Sequence, residues 1–160
     1  MNLSRIAWVV RVALGAMFVY AAWMKLREPW ALFAISIDSY QVLPIWAVEM
    51  VARGLPWFEL LLGVWLVAGV YRRISSVAAS LLLALFFSLM VRAMAKGMQI
   101  DCGCFGPGER LSGATLLRDG ALLASSLFVT FMALWSPRRA VPLVPVESRV
   151  RYAGSSDTER

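Results

Sequence analysis

Residues 74–95 read ISSVAASLLLALFFSLMVRAMA, an apolar run whose only ionisable side chain is Arg92, near its far end. Wound as a helix, a stretch of this length spans a hydrocarbon core of about 30 Å. Three more runs answer to the same rule. Residues 6–26 lie between Arg5 and the pair Lys25 and Arg27, residues 56–71 end at Arg72-Arg73, and residues 114–135 end at Ser136-Pro137-Arg138-Arg139. Across the 160 residues 60% are hydrophobic and only 16% charged, and the charges collect between the runs. A soluble domain carries about a quarter of its residues as charges. The pattern therefore predicts an all-α membrane protein, a four-helix transmembrane bundle.

The connections are shorter and more polar. Glu28-Pro29 ends the first run. Residues 30–43 (WALFAISIDSYQVL) follow as an amphipathic stretch, with Asp38, Ser39 and Tyr40 on its polar side, and predict an interfacial helix between helices one and two. Residues 45–53 carry Glu49 and Arg53 at i,i+4, the spacing of a pair on one helical face. Gly54-Leu55-Pro56 then predicts a break, with Pro56 as the first residue of the second span. Ser112 is the expected N-cap of the fourth. Arg11 interrupts the first run, and no small-residue cleavage site follows it, so the run reads as a retained helix rather than a signal peptide. The Arg11 side chain is expected to snorkel to the surface. Trp8, Trp23, Trp30, Trp46, Trp57 and Trp135 read as interfacial belt residues.

The net charge of +6 does not point to nucleic acid, because the arginines cap apolar runs instead of covering one face. It sets topology instead. Arg5, Arg72, Arg73, Arg138 and Arg139 fall on one side of a four-span arrangement, which predicts both termini in the cytoplasm of a bacterial inner membrane. Residues 1–136 then form the membrane domain, with an outward loop at 100–110. Residues 137–160 form a polar cytoplasmic tail, disordered at its end.

That outward loop, Ile100-Asp101-Cys102-Gly103-Cys104-Phe105-Gly106-Pro107-Gly108, holds both cysteines of a chain that has no histidine. On this topology it faces the periplasm, where disulfides persist. A bond between residues i and i+2 closes a very small ring, which needs the sharp bend that Gly103 permits. Closing so small a loop stabilises little, so an oxidised pair reads as exchangeable rather than structural. Cys102 and Cys104 are thus the candidate catalytic residues, and Asp101, Gly103, Phe105 and Gly106 shape the loop. Two thiolates without histidine cannot complete a closed zinc site, so no resident metal is expected. Copper(I) accepts two thiolates and stays an alternative, although most methionines sit inside apolar runs, where packing explains them.

Lys25, Glu59, Arg92, Arg118 and Asp119 place charges at similar depth beneath the loop. Ionisable groups inside a span are costly and face the bundle interior. They read either as ion pairs that hold the helices together or as a polar pocket that binds a quinone carbonyl or handles protons.

Lys25-Leu26…Pro29, Leu55-Pro56-Trp57-Phe58-Glu59-Leu60…Gly63, Asp101-Cys102-Gly103-Cys104-Phe105-Gly106 and Arg118-Asp119 together resemble the MauE family, within the wider DoxX-like group of four-helix membrane proteins. The resemblance covers roughly residues 6–135. It implies a part in methylamine utilisation, acting with the periplasmic thioredoxin-like partner MauD in maturing the disulfide-rich small subunit of methylamine dehydrogenase. The quinone-linked oxidases DsbB and VKOR look similar in architecture but use two cysteine pairs, where this chain has one. The expected function is therefore disulfide exchange with a thioredoxin-like protein by an inner-membrane protein. The alternatives are a non-catalytic membrane anchor for a redox partner and a copper(I)-handling protein.

Overall fold

The computed structural model describes residues 3–98, 100–103 and 109–135. Cys104, Phe105 and Gly106, and the tail assigned to 137–160, lie outside the described residues. Five helices follow in order: α1 (Leu3–Arg27), α2 (Trp30–Asp38), α3 (Ile45–Ala68), α4 (Arg72–Ala95) and α5 (Gly113–Trp135). All but α2 are long and apolar enough to cross a membrane, and the chain is a multi-pass membrane protein. Large apolar side chains such as Leu81, Leu85 and Leu117 stay exposed on the outside of the bundle, as do all six tryptophans assigned to the belts.

Punctuation by proline and glycine is mostly where the sequence puts it. Pro29 and Pro44 stand immediately before α2 and α3. Gly69, at φ +73, caps α3 in the left-handed conformation that glycine adopts without penalty, and its N–H bonds to Trp65 O at 2.9 Å. Only three residues separate α3 from α4, which forces the two to run antiparallel. Ser112 caps α5 reciprocally: its Oγ accepts from Thr115 N–H at 3.3 Å, and Thr115 Oγ1 accepts from Ser112 N–H at 2.8 Å.

One expected boundary is absent. Gly54-Leu55-Pro56 does not break the chain, because α3 runs continuously from Ile45 to Ala68 with Pro56 inside it. Proline removes one backbone donor, a defect that helices packed in a membrane bundle tolerate because neighbours re-satisfy the freed group. The second span is therefore a full 24 residues and needs no thinned bilayer. Arg53 on this helix lies over the Trp30 ring, 4.2 Å from its centroid.

The bundle is two antiparallel pairs, α1 with α3 and α4 with α5, closed into a ring by thinner contacts of α1 with α5 and α3 with α4. The seams differ in chemistry. In the first, Gly15 and Gly63 let the backbones touch: a Cβ on Gly63 would lie 2.8 Å from Gly15 O and 2.9 Å from Val19 N. In the second, hydroxyls bridge the helices, Ser80 Oγ lying 2.9 Å from Thr130 Oγ1 and donating to Ser126 Oγ at 3.2 Å. Arg11 does not snorkel. It is buried, with its guanidinium in the space a side chain at Gly69 would need. That places a cation at the C-terminal end of α3, where the helix dipole is negative.

Candidate functional site

The ends of the cysteine loop pair as a short antiparallel ladder. Asp101 and Arg110 form a bridge, Cys102 N–H donates to Glu109 O at 2.8 Å, and Leu111 N–H donates to Ile100 O at 2.9 Å. This register sets Cys102 opposite Glu109, and Cys102 Sγ donates to Glu109 Oε2 at 3.2 Å. Cys102 is 1% exposed.

The loop is seated on α2. Tyr40, just beyond that helix, donates its hydroxyl to Cys102 O at 3.1 Å. Gly103 has φ +68, and a Cβ there would stand 3.3 Å from Ser36 Cβ and 3.6 Å from Phe33 Cε2. Glycine is required at 103 on two counts, the backbone conformation and the close approach to α2. The interfacial helix is thus the platform on which the loop rests.

Beneath the loop the charges sort into two clusters. Arg118 donates through both terminal nitrogens to the two oxygens of Glu109, and through Nε to Asp119 Oδ1 at 3.1 Å. These bonds hold the Glu109 carboxyl below the usual carboxylate range. Partial burial opposes them, and the bond from Cys102 adds to them. The other Asp119 oxygen, Oδ2, is buried with no hydrogen-bond partner among the described residues. The second cluster is a closed pair: Lys25 Nζ donates to Glu59 Oε1 at 2.7 Å and to Oε2 at 2.8 Å. Its ammonium also lies 5.0 Å from the centroid of the Phe33 ring, so one α2 side chain contacts both the ion pair and the surroundings of Gly103.

Between the two helix pairs the packing leaves a small cavity of about 50 Å³. Leu14, Phe18, Phe86 and Leu122 supply apolar walls, and Lys25, Glu59 and Asp119 the polar ones. A largely apolar cavity with a few convergent polar groups is the usual form of a small-molecule site. Thus three of the five candidate charges, Lys25, Glu59 and Asp119, line one space, and Arg118 adjoins it through its bond to Asp119. Arg92 does not. It is exposed and lines a separate crevice with Tyr40, Lys96 and Met98, because its position on α4 turns it away from the cavity. The most direct neighbour of the thiol, Glu109, was not among the candidates. The signal in the sequence was its place just after the turn-forming residue types Gly106-Pro107-Gly108, within seven residues of Cys102.

A family model described as methylamine utilisation protein MauE matches residues 3–134. A protein of Paracoccus denitrificans named methylamine utilization protein MauE is 34% identical over 127 residues, covering 78% of this chain and 68% of that one. A protein of the same name from Methylorubrum extorquens is 30% identical over 131 residues, covering 80% and 70%. Another, from Paracoccus versutus, is 33% identical over 125 residues, covering 76% and 67%. No solved structure matches the chain significantly.

Proposed function

The chain belongs to the MauE family of methylamine utilisation proteins, and from that premise we propose that it is a membrane accessory protein of methylamine utilisation that exchanges disulfides with a periplasmic thioredoxin-like partner through Cys102 and Cys104. The observation that carries this reading is the seat of Cys102: a loop paired across its base, anchored on α2, with the thiol held against a carboxylate. A small residue idling in an outer loop needs none of these restraints.

In the exchange, a thiolate of the partner attacks the sulfur of Cys104 in an oxidised Cys102–Cys104 pair. The loop S–S bond breaks, Cys102 leaves with the electron pair, and a mixed disulfide forms. The partner's second thiol resolves it, so the partner loses two electrons and two protons and the loop gains them. The burial of Cys102 supports this order of attack, since an incoming protein thiol cannot reach its sulfur. Both termini are assigned to the cytoplasm and the loop to the periplasm, on the distribution of arginines at the span ends.

The cavity supports a lipid-soluble electron acceptor of the quinone class. Such a group would supply a two-electron, two-proton acceptor for the reduced loop; Lys25, Glu59 and Asp119 would line its site, with Asp119 Oδ2 open to accept a hydrogen bond.

Mass-tag labelling of intact cells with a membrane-impermeant maleimide tests the core of this reading. Labelling of Cys104 only after reduction is the expected result. Labelling without reduction, or full support of methylamine growth by the Cys102→Ser, Cys104→Ser double variant, would overturn it in favour of a non-catalytic anchor.

A further inference from the structure

At the end of the bundle opposite the cysteine loop, a charge is buried without an opposite charge to meet it. Arg11 is 8% exposed, and its Nη1 has no hydrogen-bond partner among the described residues. Its guanidinium is folded against the turn that joins α3 to α4. A Cβ on Gly69 would lie 3.1 Å from Nη2 and 3.2 Å from Cζ, with Nη1 nearer still. Arg72, the first residue of α4, stands close enough for its like charge to act on Arg11. No Asp or Glu occurs in residues 3–20, 60–80 or 120–135, the described segments that make up this end.

An uncompensated ion inside a membrane bundle is costly. The C-terminal dipole of α3 offers Arg11 about half an elementary charge, and Nη1 makes no hydrogen bond to it. Arg73 is committed to another helix, its Nε donating to Ala133 O at 3.2 Å on α5. Two guanidinium groups, Arg11 and Arg72, are thus left facing one turn with no carboxylate to share. Depth names the counter-ion. The turn is the polar reversal Tyr71-Arg72-Arg73 between two spans, so it lies where hydrocarbon gives way to headgroups. The anion abundant at that level is a lipid phosphate, whose oxygens the fork of an arginine fits.

We propose that Arg11 and Arg72 form a binding site for the phosphate of an anionic phospholipid whose headgroup carries no ammonium, seated against the α3–α4 turn. Basic pockets between spans are a general form of headgroup site. Selectivity follows from the missing acids. A zwitterionic lipid brings an ammonium with its phosphate, and none of the described segments at this end supplies a carboxylate to receive it. The two arginines also stand on α1 and α4, which lie diagonally in the ring, so one phosphate held by both ties together helices that are not neighbours. The site is independent of the cysteine loop and of the disulfide reading.

The test uses the full-length protein in a neutral detergent, titrated with phosphatidylglycerol, phosphatidylcholine or inorganic phosphate. Native mass spectrometry counts the lipids bound per chain, and thermal unfolding is followed in parallel. We expect the first phosphatidylglycerol to bind about tenfold more tightly than phosphatidylcholine and to raise the unfolding temperature. Inorganic phosphate at the same concentration should do neither. Arg11→Gln and Arg72→Gln should each remove most of the preference, whereas Arg5→Gln, at an exposed arginine of the same end, should leave it intact. Arg72 is exposed, so its variant decides the matter if Arg11→Gln does not fold. Equal binding of phosphatidylcholine, an unchanged preference in Arg72→Gln or in folded Arg11→Gln, or an equal loss in Arg5→Gln would overturn the proposal. Stabilisation by inorganic phosphate as strong as by phosphatidylglycerol would make the ligand a soluble anion and overturn the lipid assignment.

Discussion

The Lys25–Glu59 pair and the Glu109–Arg118–Asp119 cluster are built from the same kinds of side chain and do opposite things. The first is sealed: its side chains are 1% and 5% exposed, and both carboxylate oxygens meet the ammonium. The second is about one-third exposed at Arg118 and Glu109. It touches a thiol at one end and at the other presents an oxygen with no partner among the described residues. A closed pair spends its strongest hydrogen bonds on itself and ties α1 to α3. A cluster with open ends can pass a proton or receive a ligand. The lesson is that burial and completeness of pairing, rather than the presence of charge, separate a structural ion pair from a working one.

The sharpest way to break this contrast is Lys25→Met. Removing one partner of a sealed pair leaves a buried charge, at a cost of about 3–5 kcal/mol. Unfolding in detergent should show that loss, and a Lys25→Met, Glu59→Leu double variant should recover most of it. A single variant as stable as the native protein would make the pair expendable. Next in size is the seam that carries the pair. Gly63→Ala puts a methyl group against Gly15 O and should cost about 1–3 kcal/mol by overpacking, read in the same unfolding experiment. A neutral result would mean that α1 and α3 can separate freely.

The smallest effect is on the open cluster and follows from its acid–base chemistry. The folded-state pKa of Glu109 is depressed, chiefly by Arg118. Its contribution is therefore present above the unfolded value, about 4.3, and is lost as pH falls through the folded value. Because the pair is partly exposed, the loss is at most about 1 kcal/mol. Hydrogen exchange at the Cys102 and Leu111 amides should show protection factors falling about fivefold below that range, while amides of the four spans hold theirs. Equal loss across the spans would mean that Glu109 supports the whole fold and not only the loop.

Much of this was legible in the chain. Apolar length and charge punctuation locate three of the four spans within a few residues, and the end but not the start of α3. Trp30–Asp38 is a separate helix as the amphipathic pattern indicates, and Ser112 caps α5. Lys25, Glu59, Arg118 and Asp119 were singled out by the expense of placing charge in a span. The misreadings have one cause each. Pro56 looks like a boundary because its local preference is to start a helix, yet tertiary packing carries α3 straight through it. Arg11 looks like a snorkelling residue because nothing in the sequence shows that α3 ends beside it at Gly69. Arg92 shares a depth with the cluster but not an azimuth.

What the sequence alone determined was one-dimensional: which segments partition into lipid, where backbone must turn, and which charges lie at comparable depth. These follow from local hydropathy and from proline and glycine geometry. The tertiary structure decided which carboxylate meets which cation, that α2 is the platform for Gly103, and that Glu109 rather than a membrane-embedded residue touches Cys102. Such pairings depend on the rotation of each helix about its axis and on the register of the loop ladder, which are settled by packing among segments far apart in the chain.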